Sequence, residues 1–78
     1  MSAEVAILVR SFRVGKRTVT MTFPTPERGG VCAMVVEWAP NPPTRLSRRE
    51  WEQYRVGRDA AVIELAELTG LKTAVFEV

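Results

Sequence analysis

One stretch of this chain, residues 46–70, carries both the start and the stop of a helix, and it decides how the remaining residues are used. Ser47 and Glu50 stand three apart, the spacing of a capping box. The hydroxyl accepts from the backbone N–H at the third helical position, and the carboxylate reaches back to the cap's own N–H. Leu46 before the cap and Trp51 have the spacing of a hydrophobic staple. At the far end Gly70 suits the left-handed residue that closes a helix, and Leu71 can then fold back on the last turn. The spacing predicts a helix over about 48–69. Arg48 and Arg49 sit in its first turn, where the macrodipole disfavours cations by roughly 0.3–1 kcal/mol each. One reading has local pairs at Arg48–Glu52, Glu52–Arg55 and Arg55–Asp59 absorbing this charge. The other has the two arginines seeking a negatively charged partner.

Strands fill the rest. The connector APNPPTR, with Pro40, Pro42 and Pro43, forbids helix and favours extended backbone. Before it, VCAMVVEW (31–38) is apolar in both parities until Glu37, which predicts a central strand with Cys32, Met34, Val36 and Trp38 in one row. TVTMTF (18–23) alternates strictly, with Val19, Met21 and Phe23 inward and Thr18, Thr20 and Thr22 outward. Pro24 and Pro26 end that strand, and Gly15–Lys16 supplies a hairpin turn before it. In VAILVRSFRV (5–14) the alternation slips: Val5, Ile7 and Val9 share one parity, Phe12 and Val14 the other. A β-bulge near Arg10–Ser11 would reconcile them. KTAVFEV after the helix reads as a fourth strand. The expectation is one α+β domain over 1–78 in the order β-β-β-α-β. Its four-stranded sheet is mostly antiparallel, and the helix packs on one face. The other face can stay open, and the threonine row suits solvent or strand pairing with another chain.

Steps of 100° put Trp51, Tyr54, Gly57, Ala61, Val62, Leu65 and Leu68 on the stripe that covers the sheet. Gly57 costs about 1 kcal/mol in a helix interior; close approach of a strand is the expected reason. Arg58 projects from the same stripe. A structural pair with Glu37 or Glu77, or a snorkelled position at the edge, is one reading, and a grip on a ligand the other. Val56, Ala60 and Ile63 form a second apolar stripe where water is expected. It marks a partner surface, with Ala60 small enough to admit another helix, or else it is a weakly exposed patch or lies under the Pro-rich connector.

Composition narrows the function. A 78-residue domain buries only roughly 60% of its unfolded surface. There is no histidine and one cysteine, Cys32, which excludes a histidine-based triad, a Cys- or His-rich zinc site and an intrachain disulfide. The nine carboxylates form no recognisable catalytic pair or metal motif, and ERGGV is a turn, not a phosphate loop. The chain is expected to be no enzyme and to need no cofactor or metal. The apolar run at the N-terminus has no basic residue before it and no run reaches the ~20 apolar residues of a membrane span. A cytoplasmic protein without a membrane role is the expectation.

Basic residues fall in groups. Arg10, Arg13, Lys16 and Arg17 surround the first hairpin, Arg28 stands in the Gly-rich loop, and Arg45, Arg48, Arg49 and Arg55 surround the helix start. The net charge is only +2. The candidate partner-binding residues are Val56, Ala60 and Ile63 with Arg45, Arg48 and Arg49. The partner would be a protein, including a second copy joined through the helix or a sheet edge. The alternative is a nucleic acid whose phosphates meet Arg10, Arg13, Lys16 and Arg17 together with the helix-start arginines.

WEQYRVGRDAAVIELAELTG followed by LKTAVFEV, residues 51–78, resembles small uncharacterised proteins of Mu-like, transposable phages and prophages of proteobacteria, in a pattern of the type W..YR.GRDAA..EL. The resemblance transfers no catalytic residue. It implies a compact accessory protein that binds a host or phage component, in the host cytoplasm.

Overall fold

The computed structural model describes residues 6–26, 30–70 and 72–77, so the expectations placed on Val5, Arg28 and Leu71 lie outside the described residues. β1 (Ala6–Val14) and β2 (Arg17–Pro24) form a hairpin through Gly15, whose φ of 62° is the left-handed value the tight turn needs. β3 (Val31–Ala39) pairs antiparallel with β2. The chain then runs through the Pro-rich connector, with a cis Ala39–Pro40 bond, into α1 (Arg48–Thr69), and returns as β4 (Ala74–Glu77). β4 lies parallel to β3, giving one sheet in the order β1-β2-β3-β4. The fold is therefore the expected small α+β domain with a mostly antiparallel sheet.

The helix begins and ends where its punctuation puts it. Ser47 Oγ accepts from the Glu50 N–H at 3.2 Å, and Glu50 Oε1 accepts from the Ser47 N–H at 3.0 Å. Gly70 closes the helix at φ 70° and donates its N–H to the Ala66 carbonyl. Leu46 packs against the core, and Trp51, more than half exposed, lies flat against Tyr54 with ring centroids 5.5 Å apart.

Between sheet and helix lies one core: Leu8, Val14, Val19, Met21, Phe23, Cys32 and Met34 from the strands, and Tyr54, Ala61 and Leu65 from the helix. Burying each large aliphatic side chain among them contributes about 1.5–3 kcal/mol. Two ends of the expected stripe are not covered. Trp51 and Leu68 are both more than half exposed, and α1 rests mainly on β1.

The β-bulge is earlier than the alternation suggested. The register slips between Ala6 and Leu8, so Ile7 is the extra residue, and no irregularity occurs at Arg10–Ser11. From there Leu8 opposes Phe23, Arg10 opposes Met21 and Phe12 opposes Val19, which turns Leu8, Arg10, Phe12 and Val14 toward the helix. Val9 consequently points to the uncovered side. Bulging at Ile7 keeps the large Leu8 in the core opposite Phe23.

Candidate functional site

The turn of the first hairpin lies against the start of the helix. The Gly15 N–H donates to Gln53 Oε1 at 2.8 Å, and Arg17 Nε donates to the Asn41 carbonyl at 3.0 Å. Gly15, Lys16, Arg17, Arg49, Glu50 and Gln53 line one open cleft of about 490 Å³. A side chain at position 15 would strike the Glu50 carboxylate, so the glycine supplies space as well as backbone freedom. Glu50 is held below the usual carboxylate range, first by the Ser47 N–H, then by the Ser47 hydroxyl, with a smaller contribution from Arg17. Two basic groups distant in sequence thus become one cationic rim.

Not every expected cation belongs to it. Arg10 faces the helix flank, where Nε donates to Glu64 at 2.7 Å, a second nitrogen pairs with the other Glu64 oxygen, and a third bond goes to the Val9 carbonyl. Its parity on β1 separates it from the hairpin cluster. Arg55 takes both local carboxylates, Glu52 at 2.7 Å and Asp59 at 3.5 Å, so the expected Arg48–Glu52 pair does not form. Among the described residues Arg13, Lys16, Arg45, Arg48 and Arg49 make no ion pair. Arg58 pairs with neither Glu37 nor Glu77. It lies 3.5 Å from Asp59, with its guanidinium 5.8 Å from the Tyr54 ring centre. Glu77 is occupied by the Tyr54 hydroxyl, which donates to it at 2.6 Å.

The second apolar stripe is exposed. Val56 and Ile63 keep 54% and 59% of their surface, and Ala60 is exposed with them. The stripe runs beside the seam where α1 meets the edge strand β1. Two hollows open along that seam. One of about 360 Å³ is lined by Phe12, Arg13, Gln53 and Val56, and one of about 190 Å³ by Arg10, Phe12, Ala60 and Glu64. Gly57 borders both, and any side chain there would enter the Phe12 ring. The expected close approach of a strand is therefore an aromatic ring from β1.

Two arrangements arise only in the folded chain. Trp51, Tyr54 and Trp38 stack nearly parallel, at interplanar angles of 6° and 11°; the Trp51–Tyr54 spacing of three was the available signal. The sheet face away from the helix also gathers Val9, Val31, Val35 and Phe76, all exposed. The two-sided apolar pattern of 31–38 signalled that face, but its neighbours required the register. Cys32 is buried in mid-strand, with its thiol donating to the Pro24 carbonyl at 3.3 Å and burial raising its pKa. Among the described residues, no group of histidine, cysteine and carboxylate side chains is placed to hold a metal ion, and no helix is long and apolar enough to cross a membrane. The chain matches no protein-family model, no curated protein and no solved structure.

Proposed function

We propose that this chain is a non-catalytic binding protein, an accessory protein of a phage or prophage, that holds a protein partner along the flank where α1 meets β1. The observation that carries the reading is the exposed stripe Val56–Ala60–Ile63 running beside two hollows floored by Phe12. Apolar side chains next to pre-formed hollows offer a partner a desolvated centre, and arginine at the margin suits an interface rim. Arg45, Arg48 and Arg49 supply that margin at the helix start. The phage setting rests on the resemblance of residues 51–78 described above. The test is capture from a host lysate on immobilised wild-type and Ile63→Asp protein. Ile63 is exposed, so the substitution leaves far-UV circular dichroism unchanged. A partner retained by wild type and lost by the folded variant supports the reading; a partner retained equally by both sinks it.

A second reading is favoured by one observation, the convergence of Lys16, Arg17 and Arg49 on a single cleft with Arg45 and Arg48 beside it in the chain. A cationic rim from two elements, next to an exposed Trp51 face, is suited to nucleic acid. Binding of this kind weakens by roughly 0.7–0.9 log units per phosphate contact for each tenfold rise in salt. The same capture after nuclease treatment, with a low-salt DNA and RNA retention arm, separates the two readings.

A further inference from the structure

We propose that the open face of the sheet is a homodimer interface, with two copies packed sheet against sheet. This surface is separate from the helix flank, and the inference does not depend on the partner proposed there. Strand β3 is paired on both edges, and it is apolar on both faces: Cys32 and Met34 enter the core, while Val31, Ala33 and Val35 point the other way. Central strands apolar on both faces belong to sheets covered on both faces. Here the helix covers only one.

The register assembles the uncovered side chains into a patch. Val9, Thr22 and Val35 stand in one row across three strands, and Ala33 beside Phe76 and Val31 beside Ala74 continue it toward β4. Phe76 keeps 51% of its surface, Val9 47% and Val35 43%. No charged residue stands in those rows. Glu37 stands in the adjoining row beside Thr20, and Arg13 one row further on beside Thr18.

Three observations select a second copy as the occupant. The molecule is a plate of 35 × 29 × 15 Å. Its broad face, polar half included, is large enough for the ~800 Å² per partner of a standard interface, with Arg13 and Glu37 in the outer part of that contact. The apolar half of the face is uncharged, so a two-fold axis can set it against itself without opposing like charges. The edge of β1 and the helix start lack that property, carrying Arg10 and Arg13 and Arg48 and Arg49; the stripe Val56–Ala60–Ile63 shares it, and the Ile63→Asp variant below separates that route from the sheet face. Finally, the described core holds only ten buried residues, without disulfide or metal site among the described residues. Domains of this size commonly draw added stability from oligomerisation.

Sedimentation equilibrium on the full chain tests the proposal. Wild type sediments at twice the chain mass. Val35→Glu and, on the neighbouring strand, Thr22→Lys each halve that mass while keeping the native circular dichroism spectrum. Ile63→Asp remains dimeric, which keeps this result distinct from loss of the helix-flank partner. Two face variants guard against one failing to fold. A wild type that is monomeric up to about 100 µM overturns the proposal. So does a dimer that survives both face substitutions or dissociates only in Ile63→Asp.

Discussion

At Gly57 the helix backbone makes room for the Phe12 ring, and this single position inverts an ordinary rule. Replacing a glycine with alanine inside a helix usually stabilises it by about 1 kcal/mol. Here the added methyl group would collide with a ring anchored on β1. Overpacking of that kind costs about 1–3 kcal/mol. Gly57→Ala is therefore expected to lower stability in urea denaturation. Combining it with Phe12→Leu should cost less than the sum of the two single changes, because the smaller side chain vacates the space. Additive losses would mean that the ring and the glycine do not share it.

For the helix as an element, the start is organised by Ser47 and Glu50, against the opposing charges of Arg48 and Arg49. Ser47→Ala is expected to cost about 1 kcal/mol. The cap also sets an acid limb of stability. The folded-state pKa of Glu50 is depressed, as is that of Glu64 beside Arg10. Both contributions are thus fully present above the ordinary glutamate value of about 4.3 and fade as pH falls through the lower folded values. Melting temperatures recorded on the acid side should drop in wild type. Glu50→Gln should flatten part of that drop, since the amide still reaches the Ser47 N–H but no longer titrates. An unchanged acid slope in the variant would remove Glu50 from this account.

Across the whole molecule, Tyr54 ties the helix to the last strand. Its ring lies near parallel to those of Trp38 and Trp51, and its hydroxyl donates to Glu77 on β4. Burial, then the bond to Glu77, pushes its ionisation well above the ordinary value, with Arg58 opposing weakly. Below about pH 10 the phenol is protonated in folded and unfolded chains alike. Above that the unfolded chain sheds the proton while the folded one keeps it, so stability should fall as the solution becomes more alkaline. The chain has a single tyrosine, which makes tyrosinate absorbance a clean reporter. It should appear together with unfolding rather than before it, and Tyr54→Phe should lose the part of the alkaline dependence that sets in near pH 10, leaving the earlier part contributed by the buried Cys32 thiol. Tyrosinate forming near pH 10 in the folded protein would contradict the burial and the Glu77 bond.

Local chemistry was enough for the elements. Ser47, Glu50 and Gly70 bounded α1, Gly15 made the hairpin, and the alternation from Val19 to Phe23 assigned its core face. All of these are interactions between near neighbours in the chain. The candidate surfaces were legible only in pieces. Val56, Ala60 and Ile63 were visible as an exposed stripe, and Lys16, Arg17 and Arg49 as separate basic residues. Their arrangement depends on the packing of α1 against β1, which set hollows beside the stripe and closed the cleft between hairpin and helix. Strand parity alone misplaced the bulge, and with it Val9, because the pairing of Leu8 with Phe23 is a long-range contact. Arg10 left the cationic group for the same reason. Which residues share a strand face follows from periodicity, but which faces meet is decided by burial between segments far apart in the chain.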